Sequence, residues 1–258
     1  MKNSNKDHLS LLKKGYLIKP VENKKSLNYI NVFFKKRLLK EKNFKKIKKF
    51  NFNNLHKYIP VSELNEVRLK LIKEMNLDKK FRNHLFLLAK KNLYEMVGNE
   101  LAMQNNINLS IQFPNDESSL LPLHADTWSG DSPFETVVWL PLVDCYKTKS
   151  MFILSQDKYE KFTNIYKKKK AIDVSDLFKK LRKDLNFIKI NYGNYLFFNQ
   201  SLPHGNIVNK TKETRISINC RFKGLFTPYA EKKLGKFFSP LNVRPASQIG
   251  LDYKFPGE

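Results

Sequence analysis

Apolar positions along this 258-residue chain change their spacing twice. Leu64, Val67, Leu71, Ile72 and Met75 recur at three- and four-residue intervals, which predicts an amphipathic helix with Ser62, just after Pro60, as its N-cap. Phe81, Leu85, Leu88 and Leu93 extend the pattern behind Asp78 as a second cap, in a helix running on toward Leu101. From Ile107 the period shortens. Segments 107–113, 120–126, 134–143 and 150–154 are short, apolar or alternating, and read as strands. Polar, Lys-rich helical segments follow at 156–170 and 173–184, and strand-like runs return at 185–191, 194–199, 203–208 and 213–222. Helices first, then about eight short strands with one helical insertion, predict a mainly β fold with helical support, an antiparallel double-sheet barrel of jelly-roll type.

The flanks are less periodic. Residues 1–60 read as a basic N-terminal extension that packs loosely or wraps the domain; residues 61–228 hold the helical support and the barrel. Residues 229–258, with Pro240, Pro245 and Pro256, read as an irregular C-terminal tail. A hydrophobic share of 41% and an aromatic share of 13% suffice for a core and exclude a disordered chain. No apolar run is long enough to span a bilayer, and Met1 to Lys14 lacks the apolar stretch of a secretory signal. Cys145 and Cys220 have neither disulfide-framework nor metal-type spacing, so a reducing cytoplasm is the expected location.

The net charge of +24 suggests nucleic acid until its distribution is considered. Residues 1–50 carry 16 basic against 3 acidic residues, whereas residues 101–150 carry 2 basic against 6 acidic. The excess is peripheral and mostly Lys. It reads as a solvated basic surface, with a nucleic-acid-acting protein as the alternative and attraction to anionic lipid or phosphorylated substrates between the two. The Lys167 to Lys170 run has the same solvated reading.

Chemistry concentrates in two short motifs. His124 and Asp126 lie two residues apart on an expected strand, so period-two geometry turns imidazole and carboxylate to one face. His204, in Leu202-Pro203-His204-Gly205-Asn206, supplies a second imidazole at a strand edge. Two His and one carboxylate on one side of an ion leave three adjacent positions open, the arrangement of non-haem ferrous oxygenases. The remaining histidines (His8, His56 and His84) fall in the extension or the helical part. Arg215 and Ser217 share a face of a later strand, where a guanidinium fork and a hydroxyl can grip a carboxylate. A buried Arg is costly without an anion, which a dicarboxylate co-substrate supplies; an internal Asp is the other partner open to it. The aromatic run Tyr195, Phe197 and Phe198 reads as core packing.

Several residues near these motifs are candidate substrate contacts. Trp128, Asp131 and Glu135 follow the His-x-Asp strand on a loop able to reach a substrate; core packing of Trp128, or contact of the two acids with water alone, fits the sequence equally. Lys149 and Ser150 are placed to reach the pocket from the next strand, and Gln112 to lie near the co-substrate.

The order of these motifs, with Gly193-Asn194-Tyr195-Leu196-Phe197-Phe198 before His204-Gly205, then Asn209 and Arg215-x-Ser217, resembles the phytanoyl-CoA dioxygenase group of iron and 2-oxoglutarate oxygenases. More narrowly, His124 to Glu135, Trp139 to Asp144 and Thr148 to Met151 are similar to oxygenases encoded in sporadic bacterial carbohydrate-biosynthesis clusters. The resemblance covers about residues 105–228 and is absent from the first sixty. It implies a double-stranded β-helix core, Fe(II) on His124, Asp126 and His204, and 2-oxoglutarate held by Arg215 with Ser217. Molecular oxygen and a small sugar-related substrate would complete the reaction, whether hydroxylation, epimerisation or desaturation. The carboxylate of Asp126 argues against a halogenase, which needs that position vacated for chloride. A non-catalytic jelly-roll protein that binds a sugar or nucleotide-sugar is the alternative from another class.

Overall fold

The computed structural model describes residues 2–41, 44, 49–167 and 173–257. The elements run α1 (Lys2–Lys14), β1 (Tyr16–Pro20), α2 (Lys24–Leu38), α3 (Val61–Leu77), α4 (Phe81–Leu87), α5 (Lys90–Met96), β2 (Leu101–Gln104) and β3 (Asn108–Gln112). They continue with β4 (Thr136–Pro141), β5 (Phe152–Leu154), α6 (Gln156–Lys167), α7 (Val174–Leu181), β6 (Leu185–Phe187) and β7 (Asn194–Asn199). The chain closes with β8 (His204–Gly205), β9 (Arg215–Gly224), β10 (Phe238–Asn242) and α8 (Pro245–Asp252). The residues expected to extend the helical insertion to 170 lie outside the described residues from 168 onward, as does most of the Lys167 to Lys170 run.

Two antiparallel sheets form a double-stranded β-helix, with the helices as support. The larger has the order β1-β7-β4-β9-β2-β10, with β3 also pairing β9; the smaller has the order β6-β5-β8. The sequence of β9 shows how the larger sheet divides its two faces. Arg215, Ser217, Asn219 and Arg221 alternate with Ile216, Ile218, Cys220 and Phe222, and all four apolar residues are fully buried. The apolar face continues through Val138 and Leu140 of β4 and Tyr195 and Phe197 of β7, in one cluster with Ile30, Phe34, Leu71, Met75 and Leu85 of the helices. The polar face is left for the space between the sheets. A second cluster, Leu123, Phe152, Leu154, Phe162, Leu177, Leu181 and Leu185, ties α6 and α7 to the smaller sheet.

The basic N-terminal stretch is more structured than its composition suggests. Tyr16 to Pro20 pairs with β7 from Phe198 to Asn194 and forms the edge of the larger sheet. In α2, Asn23 caps Ser26 N at 2.9 Å, and Leu27, Ile30, Phe33, Phe34 and Leu38 form a buried stripe beneath the exposed lysines. The lysines obscured this stripe because they dominate composition while occupying only the solvent side. The C-terminal stretch likewise contains β10, paired with β2, and the helix α8.

Other boundaries shift for local reasons. Pro60, not Ser62, occupies the N-cap position of α3, without a side-chain cap bond. The helix expected to reach Leu101 is broken into α4 and α5, and Leu101 opens β2. Segment 120–126 forms no strand and is joined to the sheets by a single bridge at His124. Both cysteines are buried free thiols, pushed up to about 12 by burial, and are therefore inert. Among the described residues no helix is long and apolar enough to cross a membrane.

Phe34 tests whether α2 belongs to the core. It is fully buried and meets the rings of Phe33 and Phe81 edge-on at 5.3 and 5.8 Å. Phe34→Ala should cost about 3–5 kcal/mol in chemical denaturation. Leu69→Ala, at a position 53% exposed, should stay within about 0.5 kcal/mol. Equal small effects at both positions would detach α2 from the core.

Candidate metal centre

His124 and His204 face each other because their backbones form one antiparallel bridge. His124 N donates to His204 O at 2.9 Å, and His204 N donates to His124 O at 2.7 Å. The strands approach so closely that a Cβ on Gly205 would lie 2.7 Å from both Leu121 O and Pro122 O. Only glycine permits this approach. Ala125, extended at φ −121° and ψ 137° and fully buried, points away from the cluster, so His124 and Asp126 share its near side. Asp126 then opens a 3-10 turn (Asp126–Ser129), and its N–H donates to Gln200 O at 3.2 Å.

One ligand atom from each of His124, Asp126 and His204 can be chosen so that all three lie within 4.8 Å of one another. The imidazoles are set for coordination. His124 Nδ1 lies 2.7 Å from Pro122 O and His204 Nδ1 lies 2.8 Å from Leu202 O. A carbonyl only accepts, so each Nδ1 carries the proton and each Nε2 lone pair is free. Burial, reinforced by the neighbouring His124, pushes His204 down to about 4 and keeps it neutral. Burial opposes the charge on Asp126, but His204, Arg221 and a hydrogen bond from Arg221 outweigh it, so its carboxyl titrates below the usual value.

Arg221 lies directly behind the carboxylate. Its Nη2 is 3.0 Å from Asp126 Oδ2 and 3.3 Å from Asp131 Oδ2, and its Nε donates to Gln200 Oε1 at 2.7 Å. Gln200 Nε2 in turn donates to Glu135 Oε2 at 2.7 Å and to Ser132 O at 3.0 Å. Lys232 Nζ reaches Asp131 Oδ2 at 2.6 Å. Burial raises Glu135, an effect the Gln200 hydrogen bond opposes. Neither Arg221 nor Gln200 was singled out from sequence, although Arg221 stands six residues after Arg215 on the same polar face of β9.

A cavity of about 450 Å³ runs from this cluster along the polar face. Val137, Trp139, Met151 and Phe198 give it an apolar wall, while Ser110, Asn206, Arg215 and Asn219 are polar. Arg215 is 3% exposed; its Nη2 donates to Ser110 Oγ at 2.9 Å, and its Nε has no partner. Burial lowers its pKa, and among the described residues only Cys145 acts to raise it, so no internal carboxylate neutralises the charge. Ser217, two residues on along the same face, is buried with an unpartnered Oγ. Gln112 stands opposite Arg215 in the ladder and donates from Nε2 to Ile207 O at 2.7 Å. Arg215, with an unmet donor, lines the cavity together with the three metal-type donors, and Ser217 lies two residues from it on the same strand face; this fits an ion together with an anionic ligand.

The residues proposed from sequence as substrate contacts are placed elsewhere. Trp128, Asp131, Glu135 and Lys149 are not among the residues lining this cavity. Trp128 stacks on Phe162 at 5.5 Å, with 19° between the rings. Asp131 and Glu135 are buried in the Arg221 network, where their carboxylates face its guanidinium at 3.3 and 4.0 Å. Lys149 is fully buried against Glu213 Oε2 at 2.7 Å and Asn53 Oδ1 at 2.6 Å, which ties the loop before β5 to the chain entering β9. Ser150 is buried too.

No family model matches the chain, and no curated protein matches it. Solved structures do. The non-heme monooxygenase ThoJ in its nickel complex is similar over 93% of this chain and 85% of its own, at 12% identity and a TM-score of 0.57. EctD from S. alaskensis, with 2-oxoglutarate and 5-hydroxyectoine, is similar over 87% and 77%, at 12% identity and a TM-score of 0.58. HygX from Streptomyces hygroscopicus, with nickel and 2-oxoglutarate bound, is similar over 88% and 89%, at 12% identity and a TM-score of 0.51. These likenesses establish a shared fold.

Arg221→Gln removes the cation behind Asp126. Its Mn(II) affinity in calorimetric titration should fall about 10- to 100-fold, with the far-ultraviolet circular dichroism unchanged. An unaltered affinity would show that Asp126 is positioned without it.

Proposed function

We propose that this chain is an iron(II)- and 2-oxoglutarate-dependent oxygenase acting on a small carbohydrate or carbohydrate precursor in a bacterial glycan pathway. The observation that carries this reading is the pairing, in one cavity, of a His–Asp–His donor set with an arginine buried without a carboxylate. Ferrous iron and 2-oxoglutarate, when bound, supply the oxidising power for C–H cleavage, with dioxygen consumed and succinate and carbon dioxide released.

The chain's own residues have separable tasks. His124 and His204 present Nε2 lone pairs whose direction is set by Pro122 O and Leu202 O. Asp126 contributes a negative charge that Arg221 keeps ionised and oriented. Arg215 and Ser217 offer their unmet donors to the far carboxylate of the co-substrate. Val137, Trp139, Met151 and Phe198 exclude water from the reacting C–H.

Support for a sugar-related substrate comes from the resemblance of segments 124–135, 139–144 and 148–151 to the carbohydrate-cluster oxygenases. Solved neighbours that hold 2-oxoglutarate support the co-substrate. Hydroxylation, epimerisation and desaturation all begin by removing hydrogen from the same carbon, and a product analysis separates them.

Protein reconstituted anaerobically with Fe(II) should convert 2-oxoglutarate to succinate when exposed to oxygen. His204→Ala should abolish metal binding and turnover, and full turnover in that variant would overturn the ligand set. Arg215→Ala should raise the KM for 2-oxoglutarate about tenfold or more while changing metal affinity little. Equal losses would make Arg215 a structural residue. Metal and sugar binding without succinate would favour a binding protein.

A further inference from the structure

Three arginines line the cavity, and two of them have assigned counter-charges. Arg221 is paired with Asp126 and Asp131, and Arg215 serves the co-substrate in the function proposed above. The third, Arg68, projects from α3. Its Nη2 donates to Asn65 Oδ1 at 2.6 Å, its Nε is buried without a partner, and it forms no ion pair with an acid among the described residues. Among the described residues, Asp126 is the only acid in the cavity lining. A bound divalent cation with doubly charged 2-oxoglutarate adds no net charge, so Arg68 keeps an unmatched positive charge.

The polar groups sharing the lining with Arg68 suit the rest of a ligand. Asn108 Nδ2 donates to Asn219 Oδ1 at 2.9 Å, which leaves Asn219 Nδ2 and Asn108 Oδ1 for hydroxyl groups. The total volume is about 450 Å³, toward the lower end of the roughly 300–1,000 Å³ usual for small-molecule sites. Once the co-substrate is accommodated, the remaining space suits a single ring and not a nucleotide-linked sugar.

We infer that the substrate is a monosaccharide-sized hydroxylated molecule carrying one carboxylate or phosphate group, and that Arg68 binds that group while Asn108 and Asn219 bind its neutral part. This rests on the oxygenase reading, because it assigns the same cavity. An isolated guanidinium beside a cavity attracts an anion by charge and by its planar fork of donors, and a neutral polyol would leave that fork unused.

The experiment is a calorimetric titration of Mn(II)-loaded protein, saturated with 2-oxoglutarate, using glucose, glucuronate and glucose 6-phosphate as probes. At least one anionic probe should bind about tenfold or more tightly than glucose, with the difference shrinking as salt is added. The tighter anionic probe tells carboxylate from phosphate. Arg68→Gln should erase the preference and Arg68→Lys should retain part of it, with 2-oxoglutarate affinity moving less than about twofold in both. Anionic probes binding no better than glucose, or a preference that survives Arg68→Gln, would overturn the inference and leave the oxygenase reading intact. Failure of the wild-type protein to bind Mn(II) or 2-oxoglutarate would overturn both.

Discussion

The reciprocal backbone hydrogen bonds between His124 and His204 set the geometry of the candidate centre. They join a loop with no sheet of its own to β8, the edge of the smaller sheet, and bring two imidazoles to a centroid separation of 4.4 Å. Everything nearby accommodates that bridge. Gly205 has no Cβ to obstruct it, Leu121 O accepts from Asn206 N at 2.8 Å, and Asn206 Oδ1 accepts from Leu121 N at 2.8 Å. Together these contacts hold 121–124 against 204–206 without a regular strand pair, so the donors are preorganised by main chain.

β9 supplies the second constraint. A ten-residue strand in the middle of the larger sheet carries a polar residue at every second position, facing inward. Such a face would be unstable inside a dry barrel, and it is tolerable only because it borders a cavity. The two arginines of this face do different work. Arg221 is neutralised within the protein and steadies Asp126; Arg215 is left without a protein carboxylate. The carboxylates that hold Arg221, those of Asp126 and Asp131, form no ion pair with Arg215 among the described residues.

Much of this was legible in the sequence, for identifiable reasons. Apart from segment 120–126, the strands from Ile107 onward follow the alternation of their residues; His124 and His204 stand out because the chain has only five histidines, and Asp126 and Ser217 by their two-residue spacing from His124 and Arg215. What escaped had weak local signals. The stripe of α2 was hidden among lysines, and the edge strand β1 is only five residues long and gains its meaning from β7. Arg221 was overlooked although the period that linked Arg215 to Ser217 reaches it four residues later. Asp131 and Glu135 fit the sequence equally as substrate contacts or as acids meeting only water, and Lys149 as a residue reaching the pocket from the next strand. Their burial with partners of opposite charge could not be seen without the fold.

The loop after Asp126 therefore bears on what the protein distinguishes among ligands. Residues 131–135 are occupied in holding Arg221 and Gln200, and Trp128 is turned onto α6. On the proposed function, selectivity would fall to surfaces the motifs do not mark: Arg68 on the supporting helix, Asn108 and Asn219 across the β3–β9 pair, and residues 118–121 at the cavity wall. The supporting helices can vary without disturbing the histidines, because the Nδ1 atoms of His124 and His204 donate to Pro122 O and Leu202 O in the loops that carry them, not to the helices. On that function, such a division would let one double-stranded β-helix keep its chemistry while the helical layer selects the molecule on which it acts.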